Sequence, residues 1–371
     1  MTSRAPALDG LRGFAAAAVA IYHAILHNDL SLIDRVLYQP IQAAADSQNL
    51  WAKIALTIFH GETAVLIFFV LSGTVLSMSL QRRDGGNFFV TAWTFARNRV
   101  LRLYPPLVVC LLLMFALCQF NIPGLPHWDA RALLDNALLL STPIHGPSAT
   151  LQAEMLAVPL ILAAWLLRGV FGVAGLLLAF VYSVQALQNM PLMFGMPSMH
   201  VYAMFFMGGM LVAEPSLRGM LQQVPARAWW LVLFLAVFGR VLSGHHGAIA
   251  PVITAAICCS FLVGGLLHGQ RSGLHRFLEG RFAQALGRVS FSHYLYTVPV
   301  QFILWGAWTN HLEASRAYPV TTGILVGLLS LLIAYPLAWA SERWIERPFA
   351  SFGRGRARGW QTDKNGPAAA V

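Results

Sequence analysis

Ten apolar stretches, each close to the length of a membrane-spanning helix, constrain the fold of this chain more than any other feature. A helix needs about 20 predominantly apolar residues to cross the hydrocarbon core of a bilayer. Apolar residues make up 57% of the sequence and charged residues only 11%, which lies outside the range of soluble domains. We therefore predict an all-α polytopic membrane protein with about ten transmembrane helices. The stretches are 8–27, 53–80, 101–120, 149–168, 170–187, 198–213, 228–243, 249–267, 285–308 and 319–341.

The basic residues predict how these helices are oriented. If the N-terminus is cytoplasmic, 20 of the 25 Lys and Arg residues fall on the inner side of the membrane and only 5 on the outer side. Loops rich in Lys and Arg stay in the cytoplasm, so this bias predicts that both termini are cytoplasmic. The net charge of +10 does not indicate a nucleic-acid partner, because the basic residues lie between apolar stretches instead of forming one solvated face.

The same pattern predicts the domain organisation. Residues 1–348 form one transmembrane domain, and residues 349–371 form a basic tail that we expect to be disordered and close to anionic lipid headgroups. The long outer loop 28–52 is either a lid or acceptor-binding segment or a solvated connector. The four cysteines lie in apolar stretches, where they are expected to act as small hydrophobic side chains.

The first apolar stretch carries ionisable side chains inside the membrane-spanning part of its sequence. Arg12 and His23 are eleven residues apart in LDGLRGFAAAAVAIYH. In a helix this spacing puts both side chains on one face, separated by a rise of about 16 Å. Ionisable groups at such depth are candidates for function. A long ligand with an anionic head near Arg12 and a reactive tail near His23 would fit this spacing.

Two carboxylates occupy comparable positions in other stretches. Glu62 lies in the second stretch and Glu154 lies five residues into the fourth, in each case towards the predicted outer side. A buried carboxylate is costly unless it is paired or used. Either residue could orient His23 as a general base, because a carboxylate beside an imidazole fixes its tautomer and raises its basicity. Glu62 could also bind an acceptor hydroxyl.

A basic cluster stands where the third stretch begins, in ARNRVLRLYPP. Arg99 and Arg102 are an i,i+3 pair on one helix face, and Arg97 and Tyr104 flank them. Guanidinium groups at this spacing suit phosphate, but lipid anchoring explains the same residues equally well. Ser72, in FFVLSG, is also a candidate for ligand binding, although a Ser-Gly step more often serves close helix packing.

Taken together these motifs resemble the bacterial membrane O-acyltransferases of acyltransferase family 3. The resemblance rests on LDGLRGFAAAAVAIYH, FFVLSGTVLS, RNRVLRLYP, TLQAE, LGRVSFSHYLYTVP and IERPF, and it covers essentially the whole chain in order. Two departures are Ala149, where the family usually has Trp, and Thr297, where a His is common. His293 lies one helical turn before Thr297, and we expect no catalytic role for that segment.

The resemblance implies a ten-helix enzyme of the bacterial inner membrane. Its acyl donor, usually acetyl-CoA, is cytoplasmic, and the acceptor is a hydroxyl of an envelope or exopolysaccharide glycan on the outer side. His23 then falls on the catalytic position with Arg12 as its partner, while Arg99 and Arg102 fall on the positions that meet the CoA phosphates. Glu154 matches the acidic residue of the fourth segment.

The mechanism that follows uses His23, assisted by Glu154 or Glu62, to remove the proton of the acceptor hydroxyl, whose oxygen attacks the thioester carbonyl. A transient acyl-His is a variant. His23 and His27 have the spacing of metal ligands but no acidic residue stands between them, so we predict no metal site.

Two other functions stay open. A transporter or flippase is expected to show internal symmetry, and no such repeat is visible. An acyltransferase that modifies a lipid or a small molecule such as a macrolide is compatible with the same motifs.

Overall fold

A computed structural model describes residues 5–43, 46–83, 87–120, 125, 127–142, 144–242, 249–307 and 317–352. Within these ranges the chain forms fourteen α-helices, together with a few 3₁₀ and π turns. In chain order they are α1 (Pro6–Asn28), α2 (Ser47–Ile58), α3 (Gly61–Gln81), α4 (Phe88–Gln119), α5 (Ala130–Ala137), α6 (Pro147–Phe171), α7 (Val173–Gln188), α8 (Met199–Val212), α9 (Arg218–Gln223), α10 (Ala228–Leu242), α11 (Ile249–His268), α12 (Gly273–Leu278), α13 (Arg281–Ala307) and α14 (Pro319–Ser341).

Within the described residues, each of the ten predicted stretches is mainly helical, although the second is divided between α2 and α3. In the described part of the chain, five helical segments are long and apolar enough to cross a membrane, and a sixth results if the bent pair Pro215–Gln223 and Ala228–Arg240 is one span. The five are Ser47–Gln81, Phe88–Gln119, Pro147–Phe171, Ile249–His268 and Pro319–Phe352. The apolar helices α7 and α8 are shorter, and α1 is less apolar because it carries Arg12, His23 and His27. The chain is thus an all-helical, multi-pass membrane protein, and ten spans stay a prediction.

Helix α1 lies at the centre of one half of the bundle, where it packs against α3, α13 and α14. Glycines permit this close approach. A Cβ atom added at Gly13 would lie 2.6 Å from the backbone nitrogen of Gly287, so the first halves of α1 and α13 touch backbone to backbone. On α14, Gly323 packs against Ile25 and Gly327 packs against Ile21. Gln301, further along α13, donates to the carbonyl of Ala20, so α13 is parallel to α1, whereas α14 is antiparallel to it.

The other half of the bundle is built around α3 and α8. Gly73 of α3 lies against the carbonyl of Phe206, and the Thr74 hydroxyl donates a 2.9 Å hydrogen bond to the carbonyl of Gly209. Phe69, Phe205 and Phe206 of these two helices belong to a large buried apolar cluster that also includes side chains of neighbouring helices.

The loop between α1 and α2 is held by a buried lysine. The Lys53 ammonium donates to the backbone carbonyls of Val36, Leu37 and Gln39 at 3.1, 2.9 and 2.6 Å. Three carbonyl acceptors match the three donors of an ammonium group, so the charge is solvated by the backbone. At the other end of the chain, the last helical segment continues to Phe352, four residues beyond the predicted domain boundary at 348. Residues 353–371 of the predicted tail lie outside the described residues.

Candidate functional site

Three of the predicted arginines converge on one small cavity between α1, α3, α4, α6 and α13. Its volume is about 60 Å³, which is room for about four to six water molecules. The lining residues are Arg12, Phe68, Ser72, Val75, Leu76, Arg99, Arg102, Leu103, Thr150, Leu151, Glu154, Ser290, Phe291 and Tyr294. We call this space the arginine cavity.

Arg99 is the most deeply placed of the three guanidinium groups. One terminal nitrogen donates to Glu154 at 2.6 Å and to the hydroxyl of Ser72 at 2.8 Å. Its side chain is only 5% exposed, and its Nε atom has no hydrogen-bond partner among the described residues. A buried N–H group without an acceptor is rare in native proteins, so a ligand acceptor at this point would complete the site.

The guanidinium groups of Arg12 and Arg102 make fewer ion pairs and hydrogen bonds than that of Arg99. Arg12 pairs with Asp9 of its own helix at 3.6 Å. Arg102 forms no ion pair or hydrogen bond within the described residues, and it faces the charges of Arg12 and Glu346. Two guanidinium groups with unused donors beside one cavity are suited to a phosphate oxygen.

Hydroxyl groups complete the wall of the arginine cavity. The hydroxyls of Tyr294 and Thr150 are 2.8 Å apart, so one donates to the other across α13 and α6. The Tyr294 ring packs against Phe68, with ring centroids 5.8 Å apart. These contacts place one hydroxyl from each of two helices next to the three guanidinium groups.

His23 lies on the same face of α1 as Arg12 but does not line the arginine cavity. Ala16 and Val19 lie between them on α1 and pack in one buried cluster with Leu103 and Leu107 of α4. We call these four side chains the apolar layer. His23 itself is exposed and makes no hydrogen bond in the described part of the chain. Along α1, a ligand that reached from Arg12 to His23 would pass Ala16 and Val19.

Glu154 and Glu62 occupy separate places, and neither pairs with His23. Glu154 binds Arg99, as described above. Glu62 pairs with Arg240 of α10 at 3.0 Å and accepts a 3.3 Å hydrogen bond from the Tyr38 hydroxyl. The structure therefore differs from the predicted assistance of His23 by a carboxylate, because both carboxylates neutralise arginines on neighbouring helices.

The remaining predicted ligand residues lie outside the arginine cavity. Tyr104 is half-buried among apolar side chains one position beyond Leu103. Arg97 lies near Arg83, where burial and the positive charge of Arg97 both lower the pKa of Arg83. Of the six residues predicted to bind the donor, Arg12, Ser72, Arg99 and Arg102 come together, and Arg97 and Tyr104 do not.

Comparison with known proteins identifies the family. The family model described as "Acyltransferase domain" (Acyl_transf_3) matches residues 6–341. The chain belongs to acyltransferase family 3. It is also 33% identical over 149 residues to acyltransferase MdmB of Streptomyces mycarofaciens, an alignment that covers 39% of this chain and 33% of that protein. The aligned part therefore spans about one third of the length of that relative. No solved structure matches the chain.

The family match covers both helices that supply the arginines as well as the segment around Thr297, for which we expect no catalytic role. Ser290 and Tyr294 of that segment line the arginine cavity, and His293 does not. The sequence did contain a signal for the pair, since Ser290 and Tyr294 are four residues apart and so share one face of a helix. Glu346, which follows the matched region, adds a carboxylate near Arg102 and Arg12.

Proposed function

We propose that this member of acyltransferase family 3 transfers an acyl group from cytoplasmic acyl-CoA to a hydroxyl of an extracytoplasmic envelope or exopolysaccharide glycan. Acetyl is the acyl group that we propose first. The observation that carries the proposal is the convergence of Arg12, Arg99 and Arg102 on one cavity within a chain of this family. We also propose that the chain crosses a bacterial inner membrane ten times, with both termini in the cytoplasm. Residues 1–348 then form the transmembrane domain, and residues 349–371 form a basic tail.

The arginine cavity fits a phosphate group of the donor. Arg102 and Arg12 supply unused N–H donors, and the Nε atom of Arg99 supplies a buried one. Glu154 holds the Arg99 guanidinium in place through its 2.6 Å contact, so we assign it a positioning role. Ser72 supports the same guanidinium from the opposite helix.

Transfer requires that the thioester passes the apolar layer. The distance from Arg12 to His23 along α1 is about 16 Å, which has the scale of an extended coenzyme arm. Movement of the Leu103 and Leu107 side chains would give the coenzyme arm room to pass Ala16 and Val19.

His23 then acts as the general base. Its ring makes no hydrogen bond in the described part of the chain, so a nitrogen is available for an acceptor hydroxyl. His23 takes the hydroxyl proton, the oxygen forms a bond to the thioester carbonyl carbon, the carbon–sulfur bond breaks, and the leaving thiolate receives the proton. Tyr294 and Thr150 contribute hydroxyl groups to the wall of the donor site.

Binding of coenzyme A to the purified full-length protein tests the donor site. A charge-assisted hydrogen bond contributes about 1.5–3 kcal/mol, so Arg102→Gln should weaken the binding of coenzyme A by at least about tenfold. Arg97→Gln, in the same helix but outside the cavity, is the matched control and should bind within about twofold of the wild type. Equal affinity of both variants would contradict the assignment of the arginine cavity.

Incorporation of label distinguishes the other candidate functions. With radiolabelled acetyl-CoA, the proposed enzyme forms an alkali-labile ester on carbohydrate. Label found in lipid or in a small molecule would show that the acceptor is not a glycan. Label that crosses the membrane without ester formation would indicate a transporter.

A further inference from the structure

A second and larger cavity lies on the opposite side of α1 from the arginine cavity. Its volume is about 650 Å³, and it shares no lining residue with the arginine cavity. Its back wall runs along α1 from Leu11 to Ile21, and its sides come from α2, α3, α10, α13 and α14. We call it the lateral groove.

The alanine run of α1 explains why this space exists. Ala17 and Ala18 line the groove, and each presents a single methyl group where a larger side chain would fill the space. Phe14 and Ile21 stand one turn below and above them on the same wall. A stripe of small side chains between large ones therefore produces an elongated groove along the helix.

The groove opens towards the surrounding bilayer through apolar side chains. Its most exposed lining residues are Ile58, Phe282, Leu328 and Leu332, with exposures of 49, 69, 51 and 71%. In a membrane protein such side chains face lipid chains. The imidazole of His293, which also lines the groove, is hydrogen-bonded at 2.8 Å to the carbonyl of Leu331. The wall therefore offers little to a polar ligand and suits a hydrocarbon chain.

The length of the groove matches one leaflet. The ten steps from Leu11 to Ile21 rise about 15 Å along α1, and half of the hydrocarbon core of a bilayer is also about 15 Å thick. One extended lipid chain has this reach.

Cationic and aromatic side chains mark the end of the groove near Phe282. Arg281 and Arg288 are exposed and lie four residues before and three residues after Ala285, which lines the groove. Phe282 and the nearby Phe277 are 69 and 54% exposed. Aromatic rings beside arginines are typical of the membrane–water interface, where arginine attracts anionic headgroups.

We propose that the lateral groove binds one chain of an anionic phospholipid, whose phosphate lies between Arg281 and Arg288. This site is distinct from the donor site, since α1 separates the two cavities. The lipid replaces the side-chain volume that the alanines leave open, and it fills the space between α1, α10 and α14. Its binding does not depend on the chemistry proposed at His23.

Native mass spectrometry of the full-length protein in neutral detergent tests this site. The probes are phosphatidylglycerol and phosphatidylcholine with identical chains. An arginine near the membrane surface contributes about 1 kcal/mol towards an anionic lipid, so two arginines predict about a 30-fold preference for phosphatidylglycerol. The wild type should retain one phosphatidylglycerol molecule per chain.

Variants separate the chain site from the headgroup site. Ala18→Phe fills the groove and should abolish retention of both lipids, and Ala17→Leu, a smaller change, should weaken both. Arg281→Gln combined with Arg288→Gln should reduce binding of phosphatidylglycerol to the level of phosphatidylcholine. Arg276→Gln, an exposed arginine of α12, is the matched control and should keep the preference.

Three results would overturn the proposal. The first is that folded Ala17→Leu and Ala18→Phe proteins retain one tightly bound lipid at the level of the wild type. The second is that the wild type binds the two lipids equally. The third is that a second copy of the chain occupies the groove, seen as a lipid-free dimer. The arginine variants keep the test decisive if Ala18→Phe does not fold, because they alter only exposed side chains.

Discussion

Arg99 and Glu154 form a buried ion pair across 2.6 Å that joins α4 to α6 at the wall of the arginine cavity. The pair explains why a carboxylate can lie inside an apolar helix, and it holds one guanidinium group next to two others. It also shows that Glu154 belongs to the basic cluster and not to the surroundings of His23.

Removal of one member of this pair should destabilise the fold. Glu154→Gln leaves the Arg99 charge buried without its carboxylate, and the loss of one partner of a buried pair costs about 3–5 kcal/mol. We expect the lower end of that range because the Glu154 side chain is 16% exposed. Unfolding by denaturant in detergent measures the effect. The double variant Arg99→Met with Glu154→Leu should recover much of the loss, and a strictly additive result would contradict a direct interaction.

His145 should make the stability of the protein depend on pH. It is fully buried between α5 and α6, and burial, as the largest cause, lowers its pKa to about 4. Its Nε2 atom donates to the Leu295 carbonyl at 3.1 Å, and its Nδ1 atom accepts from the Ser148 hydroxyl at 3.0 Å. That hydroxyl in turn accepts from Asn136 at 2.7 Å, so every bond suits the neutral ring.

The sign of this dependence follows from the two pKa values. Histidine in the unfolded chain has a pKa of about 6.5, so the unfolded state binds the proton first as pH falls. The free energy of unfolding should therefore decrease between about pH 6.5 and 4 by up to about 3 kcal/mol. Equilibrium unfolding of the wild type and of His145→Gln at both pH values measures this as the difference between the two proteins. Parallel pH curves would show that His145 does not contribute.

Gly287 should tolerate no side chain. A Cβ atom at this position would lie 2.2 Å from the carbonyl oxygen of Asp9, because α1 and α13 touch there. Gly287→Ala forces the helices apart, and we expect a loss of at least about 1–3 kcal/mol, the usual cost of overpacking. Gly169→Ala is the matched control, since nothing lies within 4 Å of its Cβ position. It should be neutral or stabilise α6 by about 0.5–1 kcal/mol. Thermal unfolding of both variants in one detergent compares them, and equal melting temperatures would contradict the close contact.

The sequence predicted the helices well because their signal is local. Within the described residues each of the ten apolar stretches is mainly helical, and the spacing of Arg12 and His23 does put them on one face of α1. Arg99 and Arg102 also meet Arg12, as a shared phosphate site requires. These features depend on hydrophobicity and on the helical period, and both can be read from neighbouring residues.

The contacts between helices were harder to predict. The sequence suggested that Glu154 would lie near His23, but the register of α6 against α4 puts it beside Arg99. No local signal predicts the apolar layer of Ala16, Val19, Leu103 and Leu107, since these residues are ordinary for a membrane helix. No local signal predicts the lateral groove either, because the groove is a space that α10, α13 and α14 do not fill when they pack around α1. Register is fixed by long-range backbone contacts such as that of Gly13 with Gly287, and no local pattern encodes them.

Acyl transfer by His23→Ala tests the central claim most directly. The full-length protein is supplied with radiolabelled acetyl-CoA in membranes that contain the acceptor, and alkali-labile label on carbohydrate is counted. Loss of a general base lowers the rate by about 10²–10⁴-fold, so we predict at least a hundredfold loss of transfer by His23→Ala. Its affinity for coenzyme A should stay within about twofold of the wild type, because the phosphate site is about 16 Å away along α1. Transfer by His23→Ala at the rate of the wild type would contradict the account.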